Sequence, residues 1–461
     1  MRSEESIRNS KLKTQDLFSR HPEQRLQGAW NCAQLGLLLF PLMPALGGVG
    51  LALALLGTWK QEYRRIIGHH LNWGLAVWSV WLVITSCFAL KPSEAFLGLA
   101  NFLPFLLFFA ALSVLIQTPA QLRQIAWILV IPSLLVVSLG LGQLFLGWVS
   151  PAPFQAVFGW VLEAKGNPPG RMASVFMYAN ILAAYLQIVL ILGIGLWIET
   201  FQAWQQRWNQ FQGTQLLFLS VIVIGNAIAL ILTNSRNAWG IAFVACLAFA
   251  VYLGWHWLIL GVTAAAGSIL WASFGPNFGR QWLRRIVPPF FWARLTDQLH
   301  SDRPVALMRT TQWKFAWSMT QERPWMGWGL RNFTPLYEAK MHLWLGHPHN
   351  MLLMLTAETG IPGTVLLCGL IGWVLAQAVL LLGMWSDVAP TVGRYQWHQD
   401  RLILFSYLMA FAGCTLFNLL DVTLFDLRVN TLGWLLLAAI CGVVYRYRAL
   451  LLWRQFKKVA N

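Results

Sequence analysis

Charged residues are scarce in this sequence. Lys, Arg, Asp and Glu make up 11% of the 461 residues, and 57% of the residues are apolar. Soluble proteins carry roughly 25% charged residues, so a soluble protein of this length could not cover its surface with so few. The composition therefore excludes a cytosolic enzyme and a disordered chain, and it indicates a protein that crosses the membrane several times.

Acidic residues and cysteine pairs are scarcer still. Only 17 Asp and Glu oppose 33 Lys and Arg, which gives a net charge of +16, and none of the six cysteines belongs to a C-x-x-C pair. The sequence also lacks a phosphate-binding glycine loop, a carboxylate cluster suited to a metal, and a series of acids within its apolar runs. These absences exclude a zinc or redox site and argue against an ion-coupled transporter. We expect no cofactor, no metal and no nucleic-acid partner.

Long apolar runs are what the sequence does contain, and about 20 such residues suffice for a transmembrane helix. If the runs number twelve, the basic N-terminal arm, the second connection with Lys60, Arg64 and Arg65, and the basic C-terminal tail share one side. The positive-inside rule then places both termini in the cytoplasm. The first two runs are short and are separated around Pro41 and Pro44, so we expect them to form a helical hairpin. The predicted spans are 29–44, 45–59, 71–90, 95–116, 122–145, 173–198, 215–233, 238–255, 257–274, 361–385, 401–420 and 430–447.

The longest predicted connection is strongly basic. Residues 275–349 contain ten Lys and Arg against four Asp and Glu, a net charge of +6. The helical spacing of Arg309, Trp313, Ala316 and Trp317 predicts a helix that lies on the membrane surface. The predicted organisation is a cytoplasmic arm at 1–28, helices one to nine at 29–274, this large external loop at 275–349, helices ten to twelve at 350–447 and a cytoplasmic tail at 448–461.

A histidine motif ends this loop. Residues 346–363 read G-H-P-H-N-M-L-L-M-L-T-A-E-T-G-I-P-G, in which His349 and Asn350 are followed by nine residues, Gly360, two more residues and Gly363. A neutral histidine at an external membrane face can accept a proton from a hydroxyl group. His347 is an alternative candidate for the same role, and a histidine that only makes structural hydrogen bonds remains the simpler interpretation.

Three arginines indicate a negatively charged ligand. Arg236 lies in the short connection T-N-S-R-N, Arg309 lies in the large loop, and Arg171 ends the predicted external connection at 146–172. Arginine binds phosphate through two parallel hydrogen bonds, so these residues are candidates for a diphosphate site. The alternatives are membrane anchors and a solvated basic surface. We expect Asn180 to bond a neighbouring helix, and Asp421 either to orient His349 or to pair with an arginine.

In these motifs the sequence resembles the O-antigen ligase and polymerase superfamily of bacterial membrane proteins. The signature of that family, His-Asn followed by nine residues, Gly, two residues and Gly, fits residues 349–363 without a gap. The short Ser-Arg connection matches Arg236, and Arg171 with Asn180 matches a less specific element. The R-x-x-x-W stretch before a P-x-x-G-x-G turn matches Arg309, Trp313, Pro324, Gly327 and Gly329.

The resemblance implies a GT-C-like, all-α polytopic fold with about twelve transmembrane helices and a large periplasmic loop. It implies an enzyme of the bacterial inner membrane that moves a glycan from undecaprenyl diphosphate to an acceptor hydroxyl, such as that of lipid A-core, among membrane lipids. The family reaction is metal-independent and inverting. His349 would be the general base or orient the acceptor, and the three arginines would hold the diphosphate. Asn350, His347, Asn180, Gly360, Gly363 and Asp421 would support them.

Two alternatives belong to the same superfamily. A polymerase would extend the lipid-linked glycan and would use the same residues on a different acceptor. A protein associated with bicarbonate uptake is the other, because the run D-V-T-L-F-D-L-R-V-N at 421–430 resembles that branch and a basic loop attracts anions in general. The motif around His349 favours an enzyme over a transporter or a structural scaffold.

Overall fold

The computed structural model describes residues 19–206, 209–296, 304–385 and 394–460, and the regular structure in these ranges is entirely helical. Residues 1–18 of the predicted arm, and residues 297–303 of the predicted loop, lie outside the described ranges. The helices are α1 (Gln27–Leu39), α2 (Pro44–Ile67), α3 (His70–Cys87), α4 (Pro92–Leu99), α5 (Leu103–Leu115), α6 (Pro119–Val130), α7 (Ser133–Phe145), α8 (Ala152–Phe158), α9 (Ala179–Gln206), α10 (Gln210–Leu232), α11 (Arg236–Leu253), α12 (His256–Phe274), α13 (Asn277–Ile286), α14 (Pro289–Leu295), α15 (Arg309–Glu322), α16 (Phe333–Met341), α17 (Met351–Gly383), α18 (Arg394–Asn418) and α19 (Leu427–Ala460).

The described ranges contain nine helical segments that are long and apolar enough to cross a membrane. The predicted class, an all-α polytopic membrane protein, is therefore confirmed, while the number of twelve spans and the division into five parts stay predictions. The segments are Pro92–Leu115, Pro119–Phe145, Ala179–Gln206, Gln210–Leu232, Arg236–Leu253, His256–Phe274, Met351–Gly383, Gln396–Asn418 and Leu427–Arg448.

The first two predicted spans form helices α1 and α2, which pack closely along each other. A Cβ atom at Gly36 would come within 2.9 Å of the Gly47 carbonyl oxygen, so the two backbones are in direct contact. Helix α2 extends beyond the predicted span 45–59 and continues to Ile67. Arg64 and Arg65 lie in its last turn, where cationic side chains favour a helix end.

The helix of the tenth predicted span also extends beyond that span. Hydropathy predicts a start at 361, but α17 begins at Met351 and runs to Gly383, with a break in helical geometry at Gly360. The polar residues Thr356, Glu358 and Thr359 lower the apolar signal of the first turns. This stretch is nevertheless helical because it is buried under the external loop, whose helix α15 packs against it.

Helices α9 and α19 form the centre of the bundle. About 83% of the residues in the most apolar window of each are buried, more than in the other candidate spans of the described ranges. Helix α9 packs against α6, α10, α11 and α18. Because α9 begins at Ala179, the polar residue Asn180 lies at the end of the most enclosed helix.

The predicted helix around Arg309 is confirmed as α15, Arg309–Glu322. Part of its apolar side packs against protein: Ala316 and Met319 are buried in a small core with Phe333, Tyr337 and Ala357. Trp317, by contrast, is 47% exposed. This core fixes the loop helices on the first turns of α17, directly after the histidine motif.

Candidate active site

The histidine motif lies immediately before the N-terminus of α17. The Asn350 side chain caps this helix, since its Oδ1 atom accepts a hydrogen bond from the Leu353 amide at 3.0 Å. Its Nδ2 atom donates to the Leu419 carbonyl oxygen at 2.9 Å. Asn350 therefore serves two purposes: it satisfies a free amide of the helix start, and it ties that start to the segment after α18.

His349 is paired with Asp421. Its Nδ1 atom donates to Asp421 Oδ1 at 2.9 Å, across 72 positions of sequence. The carboxylate can only accept, so it fixes the tautomer and leaves Nε2 of the imidazole as an acceptor. His349 adopts a left-handed backbone conformation with φ of 51°. The His349 side chain is 27% exposed, whereas the Asp421 side chain is 9% exposed. Of the two residues of this pair, the histidine is therefore the one that a ligand can reach.

Asp421 is held in its ionised form. Burial raises its pKa, but the hydrogen bond from His349, the Val422 amide and the positive charge of each histidine when it is protonated together lower the pKa below the ordinary value. The Val422 amide donates to Oδ1 at 2.9 Å. A buried carboxylate with these donors orients the imidazole and stabilises the positive charge that the ring acquires on protonation.

A chain of hydrogen bonds extends from Asp421 to two further segments. The Asn180 Nδ2 atom donates to Asp421 Oδ2 at 2.7 Å, and Arg171 Nη2 donates to Asn180 Oδ1 at 2.5 Å. Arg171 Nε donates to the Thr233 carbonyl oxygen at 2.8 Å. The fold thus brings together His349, Asp421, Asn180 and Arg171, which the sequence predicted separately, and links them to the short connection that contains Arg236.

The two other predicted arginines lie beside this chain. Arg236 is the first residue of α11, and the next residue, Asn237, donates from Nδ2 to the Phe417 carbonyl oxygen at 2.9 Å. This contact joins the start of α11 to Phe417, which lies four residues before Asp421. Arg309 is the exposed first residue of α15, and its positive charge acts on His347.

His347 lies against His349 but in a different environment. The two ring centroids are 4.5 Å apart, and the His347 ring is stacked on Phe425 at 5.8 Å. Its Nδ1 atom accepts a hydrogen bond from the His349 amide at 3.2 Å. Burial, and to a lesser extent the charges of His349 and Arg309, lower the pKa of His347 to about 4. His347 is therefore neutral at ordinary pH, and its Nδ1 lone pair is already engaged.

Among the described residues, His347, His349 and Asp421 form a group that could hold a metal ion. The ligand atoms of His347, His349 and Asp421 lie within 4.8 Å of one another. A metal bound through Nδ1 of His349 would have to replace the His349–Asp421 hydrogen bond, because a ligating Nδ1 atom cannot also donate a proton.

Gly360 and Gly363 shape the helix that carries the motif. Gly360 has φ of 75°, and a Cβ atom there would overlap the carbonyl oxygen of Trp325. The Ile361 amide donates to the Pro324 carbonyl oxygen at 2.8 Å, so the P-x-x-G-x-G turn lies in the break of α17. A Cβ atom at Gly363 would come within 2.6 Å of Trp81 Nε1. Both glycines permit close backbone contacts, and they support the site through the fold.

An apolar groove lies beneath the motif. Its volume is about 410 Å³, and it is bordered by α17, α18 and α19. Met351, Leu352 and Leu419 line the end that is next in sequence to Asn350 and close to Asp421, while Ile371 and Trp434 lie deeper. The geometry suits a flexible hydrocarbon chain whose polar end emerges beside His349.

Three residues of the site escaped sequence reasoning. Thr233 takes part through its backbone carbonyl, which no residue type can signal. Phe425 stacks on His347, but an aromatic residue in an apolar chain is not distinctive. Asn237 was within reach, because it directly follows Arg236 in the polar T-N-S-R-N connection.

Comparison with known proteins agrees with the predicted resemblance. No curated protein matches the chain. The family model described as O-antigen ligase matches residues 218–368. This segment includes Arg236, Arg309, both motif histidines and Gly360, and it ends before Asp421. The predicted resemblance to the O-antigen ligase superfamily is therefore confirmed for this segment, in a chain whose described residues contain nine helical segments long and apolar enough to cross a membrane. This resemblance implies a membrane enzyme of the ligase or glycosyltransferase type.

Proposed function

We propose that the protein transfers a glycan from undecaprenyl diphosphate to an acceptor hydroxyl on the periplasmic side of the bacterial inner membrane, with lipid A-core as the acceptor. The observation that carries this proposal is the His349–Asp421 pair, at 2.9 Å, inside the segment that matches the O-antigen ligase family. An imidazole oriented by a buried carboxylate is suited to removing a proton from a hydroxyl group.

The reaction follows from this geometry. The acceptor hydroxyl gives its proton to Nε2 of His349 while its oxygen forms a bond to the anomeric carbon of the donor sugar. The bond between that carbon and the diphosphate oxygen breaks, and the diphosphate leaves with the electron pair. Attack opposite the leaving group inverts the anomeric configuration. Asp421 stabilises the imidazolium that is formed.

Arg236 and Arg309 are proposed to bind the diphosphate and to stabilise the charge that grows on it. Arg171 was predicted for the same task, but its guanidinium is bonded to Asn180 and Thr233. We therefore assign Arg171 to positioning Asp421 through Asn180. The apolar groove between α17, α18 and α19 is proposed to hold the polyprenyl chain, since Met351, the residue after Asn350, lines it.

The proposal is tested with the full-length protein in nanodiscs, supplied with undecaprenyl-diphosphate-linked glycan and lipid A-core. The mass of the acceptor lipid is the readout. His349→Asn is expected to abolish the mass increase, because asparagine tolerates the positive φ of this position but accepts no proton. The matched control is His342→Asn, since His342 is exposed and also has a positive φ, 54°. Equal transfer by both variants would exclude His349 as the base.

Two further arms separate the alternatives. Donor without acceptor tests for a polymerase, which would lengthen the glycan on its lipid carrier. A chelator added to the complete reaction tests the metal-independent mechanism, which predicts unchanged transfer, whereas a metal held by His347, His349 and Asp421 predicts its loss. If neither glycan product forms, bicarbonate uptake by deletion and complemented strains decides the remaining alternative.

A further inference from the structure

A second pocket lies at the opposite ends of the helices that carry the site. Its volume is about 470 Å³, and it is bordered by the last turns of α9 and α11 and the first turns of α18. The predicted orientation places this end of the bundle at the cytoplasmic surface. The lining residues are Gln202, Gln205, Gln206, Tyr252, Leu253, His398, Arg401 and Leu402.

Arg401 is the cation of this pocket. Its guanidinium lies 5.3 Å from the ring centre of Tyr252 and 5.6 Å from that of Trp397. The Nε atom is buried and has no hydrogen-bond partner, and the same holds for Nε1 of Trp397. Arg401 lines the pocket, whereas Trp397 contacts Arg401 without lining the pocket. Buried donors in native proteins almost always have an acceptor, so the unsatisfied Nε–H of Arg401 indicates a group that the chain itself does not supply.

The nearby carboxylates are engaged elsewhere. Asp400 and Glu199 both form ion pairs with Arg123, at 3.1 Å and 2.5 Å. Among the residues that the structure describes, no carboxylate lies within ion-pair distance of Arg401. A positive charge between two aromatic rings, beside three glutamine side chains, is therefore available to an external anion.

We propose that this pocket binds the phosphate group of an anionic phospholipid of the cytoplasmic leaflet. Arg401 provides the charge and directed donors, and the glutamine amides can donate to the remaining headgroup oxygens. Leu253 and Leu402 give the pocket an apolar side for the start of the acyl chains. Basic pockets between transmembrane helices on the cytoplasmic side are typical sites for such headgroups.

The position of the pocket gives the lipid a structural consequence. Helix α9 begins beside Asn180, α11 begins with Arg236, and α18 ends three residues before Asp421. A headgroup that contacts the other ends of these three helices links elements that must stay in register for the external site. Because a ligand stabilises the state that binds it, the lipid is expected to raise the melting temperature of the folded bundle.

The test uses the full-length, delipidated protein in a neutral detergent, titrated with phosphatidylglycerol while the melting temperature is recorded. Phosphatidylglycerol is expected to raise the melting temperature and phosphatidylcholine to leave it unchanged. Arg401→Gln should weaken the apparent affinity by about tenfold or more, since a charge-assisted hydrogen bond is lost. The control Arg64→Gln, an exposed arginine predicted to lie on the same side, should behave as wild type.

Two further measurements test whether the phosphate group belongs to a lipid, and whether the result holds if Arg401→Gln does not fold. Gln205→Glu places a negative charge on an exposed pocket residue and should weaken phosphatidylglycerol binding even if Arg401→Gln does not fold. Inorganic phosphate should compete only weakly, because it lacks the acyl chains. If inorganic phosphate competes fully, the ligand of this pocket is a free anion and the lipid proposal is wrong. Equal shifts with both lipids, or unchanged affinity in both pocket variants, would overturn the proposal.

Discussion

At the scale of single residues, the site separates two adjacent histidines by what each one contacts. His349 donates to a buried carboxylate and keeps Nε2 as an acceptor, while His347 receives the His349 amide on Nδ1 and stacks on Phe425. The two histidines therefore differ in their contacts, and these contacts support the proposal that His349 is the base.

Asp421→Asn is expected to lower kcat of glycan transfer by about a hundredfold or more, because general-base catalysis contributes roughly that much. An amide cannot stabilise the imidazolium, and its NH₂ group can select the wrong tautomer of His349. Glu94→Gln, which changes an exposed carboxylate paired with Arg331, is the control. An Asp421→Asn enzyme with wild-type kcat and an unchanged pH profile would remove Asp421 from the mechanism.

His347 makes stability depend on pH. Its pKa is lowered from the ordinary 6.5 to about 4, so between these values the unfolded chain binds a proton that the folded protein does not. The free energy of unfolding is therefore expected to fall as the pH is lowered from 6.5 towards 4. His347→Gln should flatten this part of the curve, measured as melting temperature against pH in detergent. The Asp421 contribution is lost as the pH falls from 3.8 towards its own lowered pKa, which is below this window.

The residues of the site differ in how far sequence could predict their roles. The His-Asn-Gly-Gly spacing selects His349 because the motif is contiguous. Asp421 lies 72 positions later and Asn180 lies 241 positions before Asp421, so their contact with the motif follows only from the packing of α9, α17 and α18. Sequence alone named His349 as one of two possible partners of Asp421, and it left the partner of Asn180 open.

At the scale of helices, the break in α17 holds the external loop on the bundle. Trp328 and Gly329 donate their amides to the Ala357 and Glu358 carbonyl oxygens, both at 2.9 Å. Gly327 has φ of 68°, and a Cβ atom there would come within 2.5 Å of the Glu358 carbonyl carbon. The family-like glycine pattern is thus explained by backbone contact between a turn and a helix.

Gly360→Ala is expected to lower the free energy of unfolding by about 2 kcal/mol or more, since it adds a side chain at a positive φ and against the Trp325 carbonyl. The melting temperature of the purified protein measures this loss. Gly369→Ala in the same helix is the control, because a Cβ atom there meets nothing within 4 Å. If both variants melt alike, the break at Gly360 does not need a glycine.

Hydropathy locates the helices, but α2, α9, α17 and α19 extend eight or more residues beyond their predicted spans. Helix α2 extends beyond its apolar run into a basic turn, and α17 starts ten residues before its predicted span, in a stretch that includes Thr356, Glu358 and Thr359. A hydropathy pattern measures compatibility with lipid. It cannot detect a helical turn whose stability comes from capping, as at Asn350, or from burial under the loop.

At the scale of the whole molecule, the basic residues form two groups with different proposed purposes. One group, around Lys60 and Arg64, lies at the end of α2 and sets the orientation by the positive-inside rule. The other group belongs to the long loop, which is exempt from that rule and lies on the side of His349. The charge excess is therefore consistent with both cytoplasmic termini and an external site for an anionic donor.

This topology is tested with single cysteines in a variant that lacks the six native ones. Lys340→Cys on α16 and Gln61→Cys on α2 both place the thiol at an exposed residue. A membrane-impermeant thiol reagent is expected to label Lys340→Cys in spheroplasts, and Gln61→Cys only after the membrane is opened. The reverse pattern would put His349 in the cytoplasm. Since the proposed donor is used at the periplasmic face, that result would exclude the proposed reaction even if the His349–Asp421 pair were intact.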